Sequence, residues 1–386
     1  MNQKKIFHWI GAVSILSVGV LILAYSLSNS SGADRDFISY WASGKQLIHH
    51  RNPYDGPAIL ALQREAGSTF TAPFSMVMKN PPIAFFITLP IALVSARVGV
   101  VLWSLAIIAA LMLSIRLIWR LNGRPKDSLH LFGYVFPPAL ACLLAGQIGI
   151  FILLGVVLFM TLRERRPFLA GASLLLCALK PHLFIPFATV VVLWALFNKI
   201  YRILAGAAVA IAGSLALGYF LDPRGWSDYA QMIHASQLQT EFIPTISLLF
   251  RLAVHPQWIW LQIIPALIGA RWALRYFWSN RAAWDWMDHG MLLLIVSVMV
   301  APYAWFTDEA ILLPAILVSL YRASEARRSF IPLGCIAGTA LIEVFAGAGI
   351  NSGYYLWTAP AWLCWYLYAT ADPSRAENRV TTLPES

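Results

Sequence analysis

The chain has 386 residues, 59% of them hydrophobic and 12% charged, and apolar stretches of about 15 to 23 residues recur from end to end. No hydrophilic stretch is long enough to fold by itself, which excludes a string of soluble domains, and the net charge of +10 falls in small basic groups between apolar runs, which excludes a nucleic-acid-binding tract. Cys142, Cys177, Cys335 and Cys364 all sit in apolar runs with no CxxC pair and read as buried small hydrophobes.

Residues 6–28 follow Lys4 and Lys5 and form an apolar run longer than a signal-peptide core. A retained helix is expected there, with a cleaved signal ending at the SSGA of residues 30–33 as the alternative. With its N-terminus inside, residues 29–80 lie on the outer face. Within them, NPYD at 52–55 has turn chemistry. PAILALQREA at 57–66 reads as a short amphipathic helix, lying on the membrane surface or packed on the bundle. Residues 81–96 begin with a proline pair and contain Pro90; they are short for a span and read as re-entrant or interfacial.

Spans are then expected at 97–120, 129–145, 148–162, 168–179, 183–197 and 203–221. An outer loop at 222–256 follows, then spans at 258–277, 287–303, 311–321, 331–349 and 354–369. This makes about twelve spans with both termini inside, and it puts RLNGRPK at 120–126, RERR at 163–166 and Arg322, Arg327 and Arg328 on the cytoplasmic side, where basic groups belong. Several spans fall below the usual ~20 residues, so a cavity on the outer face is expected where they end, at GQ (146–147) and KPH (180–182). The chain reads as one membrane domain, residues 1–370, with a short cytoplasmic tail at 371–386.

An ionisable side chain in or at the edge of a span costs roughly 2.5 to 3.5 kcal/mol on insertion scales, and it usually pairs or lines a cavity. Those expected to face outward are Asp34, Arg35, Asp36, Asp55, Lys79, Lys180, His182, Arg251, Asp308 and Glu309, with Gln147 at a helix end; Glu343 lies in an apolar run and reads as paired within the bundle. Each also has an ordinary reading. Asp34 serves as a solvated charge or helix cap, Arg35 as the partner of a neighbouring carboxylate, Lys180 as an interfacial lysine, and Gln147 and His182 as packing groups. Carboxylates on the first loop with cations on later helices suit a reaction in which a carboxylate takes a proton from an attacking hydroxyl while cations hold a phosphate leaving group. A transporter would collect the same charges. No Gly-rich phosphate loop is present.

DFISYWASGKQLIHHRNPYD (36–55), NPPIAFFITLP (80–90), AGQIGIFILL (145–154), LAGASLLLCALKPH (169–182) and APYAWFTDEAILLPAIL (301–317) follow one another in an order that resembles glycosyltransferase family 87, polytopic lipid-linked enzymes of the GT-C class. The resemblance covers about residues 1–322. It implies an all-α, GT-C-like bundle of about twelve transmembrane helices, its first outer loop carrying short interfacial helices, in the bacterial cytoplasmic membrane. The activity implied is transfer of mannose or another hexose from a polyprenyl-phosphate sugar to a glycolipid or glycan acceptor on the outer face. The family's catalytic Asp falls on Asp36, with Asp34 ranked second; its KP falls on Lys180 and Pro181, its GQ on Gly146 and Gln147, and its late PY and Asp on Pro302, Tyr303 and Asp308. Here TDE stands where relatives often carry a His beside the Asp.

On this reading Asp36 is the general base of an inverting displacement, and Lys180, helped by Arg251 or His182, holds the departing phosphate. Asp34, Arg35, Tyr40, Tyr54, Gln147 and Asp308 complete the expected substrate contacts. Aromatics of the first loop suit sugar stacking, although they also belong at a membrane interface. The lipid-linked donor is a substrate, no cofactor is expected, and the residues do not themselves require a metal. The partners expected are the donor, the acceptor and the bilayer, with no nucleic acid. Competing classes are a polysaccharide polymerase or ligase using the 222–256 loop, and a transporter or flippase of a lipid-linked substrate, which an internal repeat would favour and none is visible.

Overall fold

The computed structural model describes residues 34–72, 74–236, 243, 245–325 and 355–371, which are helical with no strand among them. The expected spans at 6–28 and 331–349, Cys335, Glu343 and the tail from 372 lie outside the described residues.

The expected first loop contains α1 (Asp36–Ile48) and α2 (Gly56–Glu65). Asp55 caps α2, its carboxylate accepting from the Ala58 N–H at 3.3 Å with Pro57 in the first turn, and Asn52 Oδ1 accepts from Tyr54 N–H at 2.7 Å, so NPYD is a turn. The apolar face of α2 is used by packing: Ile59 is fully buried, and Gln63 exchanges two hydrogen bonds with the backbone of Met76. Helix α3 (Phe85–Ala92) follows a 3-10 turn at Pro82–Ala84. Together they rise about 18 Å, a little over half of a ~30 Å hydrocarbon core. They pack on α1 so closely that a Cβ on Gly44 would meet Thr88 O at 2.6 Å.

Helix α4 (Ala96–Leu121) starts at Ser95, whose side chain accepts from Val98 N–H, and at 26 residues it is long enough to cross a bilayer. The expected span at 129–145 is broken instead into a 3-10 segment, Leu129–Tyr134, and α5 (Pro137–Ala145). Pro137 and Pro138 offer no N–H to a preceding turn, and Phe136 before them is extended (φ −63°, ψ 116°). Next come α6 (Gly149–Leu162) and α7 (Pro167–Ser173), then 3-10 turns at Cys177–Leu179 and Pro181–Phe184, then α8 (Ile185–Phe197) and α9 (Tyr201–Leu221). A Cβ on Gly171 would lie 1.9 Å from Ile203 O and one on Gly206 1.9 Å from Phe168 O, so α7 and α9 touch backbone to backbone.

The expected loop at 222–256 contains two helices, α10 (Gly225–Ala235) and α11 (Ile246–Val254). Helices α12 (Ile263–Asn280) and α13 (His289–Met299) precede a 3-10 segment, Phe306–Leu312, which runs into α14 (Leu313–Glu325); α15 (Thr358–Thr370) is the last described element. Among the described helices α4 and α9 are long and apolar enough to span by themselves, and two of the shorter apolar ones share a buried aromatic cluster. Phe159 meets Phe187 and Trp286 edge to face, and Trp194 meets Trp286 likewise at 5.3 Å, joining α6 to α8.

Candidate active site

Three breaks in the bundle and the start of α1 supply one polar cluster. Asp36 is the first residue of α1, and the turn between α5 and α6 packs against it. Gly146 closes α5 in the left-handed region (φ 72°), and a Cβ there would come within 3.1 Å of Phe37 Cβ. Only glycine lets the turn lie against the backbone beside Asp36. Trp103 Nε1 holds the turn by donating to Gly146 O at 2.7 Å. Gln147 Nε2 then donates to Asp36 Oδ2, and Tyr40 OH, one helical turn after Asp36, donates to Gln147 Oε1 at 3.3 Å.

The second break is at Lys180, which takes a non-helical conformation (φ −138°, ψ 71°) because Pro181 follows it. Its ammonium lies 2.6 Å from Asp308 Oδ1, with both residues buried, while Asp308 Oδ2 accepts from Trp305 N–H at 3.0 Å. Asp36 is close enough to feel both charges. Burial of its carboxyl raises its pKa from 3.8 to about 6, against the pull of Lys180 and the Gln147 hydrogen bond, while Asp308 adds a small push upward. At pH 7 the carboxylate is therefore mostly ionised, and a better proton acceptor than an ordinary aspartate.

His182 lies in the same turn, its ring edge-on to Tyr303 at 5.8 Å and its Nε2 without a hydrogen-bond partner. Burial first, then Lys180, pushes its pKa down to about 4. The imidazole is neutral at pH 7, so it offers hydrogen bonding rather than the positive charge expected of a helper to Lys180.

Tyr54 acts at one remove. Its hydroxyl donates to Asn80 O at 2.9 Å, and Asn80 Nδ2 donates to Leu179 O at 2.9 Å, directly before Lys180. Arg251 is buried on α11, its Nη1 donating to Gln262 Oε1 at 3.3 Å, and Gln262 Nε2 reaches Pro302 O at 3.2 Å. It is thereby tied to the PY segment. Asp34 serves the first loop itself, accepting from Ser68 Oγ at 2.7 Å, Thr69 N–H at 2.9 Å and Thr69 Oγ1 at 3.0 Å. Arg35 is the residue before α1, in extended conformation.

One participant escaped sequence reasoning and another was misplaced by it. Asn80 opens NPPIAFFITLP and has no role expected of it, yet it links Tyr54 to the Lys180 break. Glu309, grouped with the outward-facing charges, is buried and accepts from Thr358 Oγ1 and from Trp362 Nε1 at 3.1 Å, both on α15. Burial pushes its pKa to about 8, and the two hydrogen bonds offset this only in part. Among the described residues no three His, Cys, Asp or Glu side chains gather as a metal site.

Long apolar helices, and short broken ones with a buried carboxylate-lysine pair at their breaks, are those of a helical membrane protein. The family model of glycosyltransferase family 87 matches residues 79–321, and the chain belongs to that family. The match begins at Lys79, so Asp36 precedes it, and α15 with Thr358 and Trp362 follows it. Searches of curated proteins and of solved structures gave no match.

Proposed function

We propose that the protein transfers a hexose, mannose or a relative, from a polyprenyl-phosphate donor to a glycolipid or glycan acceptor, with inversion at the anomeric carbon. The observation that carries this reading is the convergence of Asp36, Gln147, Lys180 and Asp308 from four chain segments into one cluster, half-buried at Asp36 and Gln147 and buried at Lys180 and Asp308. The acceptor oxygen bonds to the anomeric carbon as the bond from that carbon to the phosphate oxygen breaks. The hydroxyl proton passes to Asp36, and the polyprenyl phosphate leaves with the bonding electrons. Lys180 sits where the new phosphate charge develops, a charge-assisted contact that strengthens as the bond breaks. In the resting protein Asp308 occupies that ammonium, and the donor phosphate shares or displaces it. Neutral His182 contributes a hydrogen bond, and Gln147 aims the Asp36 carboxylate.

The topology that goes with this reading has about twelve spans over residues 1–370, a cytoplasmic tail at 371–386, both termini inside and the cluster at the outer face of a bacterial cytoplasmic membrane. The 81–96 segment, with its proline pair and a helix that stops at Ala92, enters and leaves on that face. Incubating the purified protein with radiolabelled polyprenyl-phosphate sugars and a membrane lipid extract tests the activity. Transfer of label to a lipid or glycan is expected, and no transfer from any such donor would remove the support for it.

A further inference from the structure

Away from the Asp36 cluster, an open cleft of about 800 Å³ lies between the C-terminal halves of α1 and α2 and the start of α4. Its size falls in the range of about 300 to 1,000 Å³ typical of small-ligand sites. Its charged lining is Lys45 from α1, Glu65 from α2 and Arg97 from α4, with the His49 imidazole directly after α1, so two basic side chains and an imidazole face one carboxylate. Ser95, the cap of α4, and Ala96, its first residue, complete the rim, where the backbone N–H groups of the first turn and the helix dipole favour a negative ligand. Trp41 forms a fixed wall, its Nε1 donating to Val94 O at 3.1 Å and its ring lying 5.6 Å from the Lys45 ammonium.

The apolar surface beside the cleft separates a lipid from a soluble anion. Leu93, Val98, Leu102 and Leu105 are 70%, 48%, 48% and 49% exposed, and the last three recur at helical spacing down one stripe of α4, beginning one residue past Arg97. Helix α4 is about 39 Å long, so its first turn falls at the headgroup level of the bilayer and this stripe falls in the hydrocarbon.

We propose that the cleft is a separate binding site for the phosphate-bearing head of an anionic membrane lipid, whose acyl chains lie along the Leu93–Leu105 stripe. Lys45 and Arg97 receive the phosphate, and Trp41 borders the glycerol region. The site shares α1 with Asp36, the head resting on the end of the helix remote from that carboxylate.

The test is native mass spectrometry of the purified full-length protein titrated with phosphatidylglycerol, phosphatidylcholine or inorganic phosphate. Each basic side chain near a membrane surface favours an anionic lipid about fivefold, so two predict retention of phosphatidylglycerol over phosphatidylcholine by roughly thirtyfold. The Lys45→Gln/Arg97→Gln variant should lose that preference, and Glu65→Gln should hold phosphatidylglycerol more tightly. Equal retention of the two lipids by the wild type, or an unchanged preference in the double variant, overturns the proposal. Displacement of phosphatidylglycerol by inorganic phosphate would make this a soluble-anion site and overturns the lipid assignment. Should the double variant not fold, a photoactivatable phosphatidylglycerol cross-linked to the wild type decides the matter: adducts on residues 93–105 support the site, and adducts confined elsewhere refute it.

Discussion

Replacing Asp36 by Asn removes one negative charge and keeps the shape of the side chain. If Asp36 takes the acceptor proton, transfer should fall by about 100-fold or more. The same substitution should stabilise the protein. Burial raises the Asp36 pKa from 3.8 to about 6, so the folded state binds its proton more tightly than the unfolded chain does. Between those two values the folded state holds more protons, and stability falls as pH rises. Above pH 6 the ionised carboxylate therefore costs a little over two pH units at about 1.36 kcal/mol each, or roughly 3 kcal/mol, which Asn does not incur. For a chain of this size about 1 to 2 °C per kcal/mol is expected, so the variant should melt a few degrees higher at pH 8. The difference should shrink through pH 6 and vanish near pH 4. Thermal melts of both proteins in one detergent across pH 4 to 8, paired with transfer assays, supply the measurement. An Asn variant that melts no higher than wild type at pH 8 would refute the desolvated carboxylate, and one with near-normal turnover would move the base elsewhere.

The acid limb of kcat/KM should have its midpoint near pH 6, and Gln147→Leu should move it to higher pH, since the lost hydrogen bond stabilised the carboxylate; a pH–rate series on both proteins checks this. Either Lys180→Met or Asp308→Leu alone leaves a buried charge unpaired and should cost about 3 to 5 kcal/mol in denaturation experiments, whereas the double replacement should recover most of the stability and none of the transfer. Gly146→Ala forces a left-handed conformation on a residue with a Cβ and presses it on Phe37, so roughly 1 to 2 kcal/mol of stability and a larger share of activity should be lost. Glu309→Gln should keep near-normal melting while Glu309→Ala should not, because a neutral amide can still serve Thr358 and Trp362.

The regular parts of the fold were legible because apolar runs and their end signals are local. Residues 97–120 became α4, 148–162 became α6 and 203–221 became α9, each within two residues. The break of 129–145 was written in Pro137-Pro138, but hydropathy averages over it. The two helices of 222–256 have only eleven and nine residues, too short to register as spans, so the segment read as loop. For the site, residue type marked a broad set of outward-facing polar groups, and it took the family resemblance to pick out Asp36, Gln147, Lys180 and Asp308 from it. That Gln147 should bond Asp36 across 111 positions, or Lys180 meet Asp308 across 128, depends on how the broken helices stack, which no local pattern encodes. Asp34 shows the converse. Its spacing from Asp36 invited a shared role, yet nearby Ser68 and Thr69 supply three donors and hold it in the loop.

The glycine contact between α7 and α9 also bears on the order in which the protein is made. Helix α7 has seven residues and reaches about 10 Å, too little to hold its own place in lipid. The surface it rests on, around Gly206, leaves the ribosome some 30 residues later. A nascent chain that ends after α8 already contains Asp36 and Gln147 and can join them, and Asn80 can hold the turn bearing Lys180, but α7 lacks its closest backbone contact until α9 arrives. The ion pair waits longer still, for Asp308, 128 positions after Lys180, so that half of the site closes only once most of the bundle has entered the bilayer.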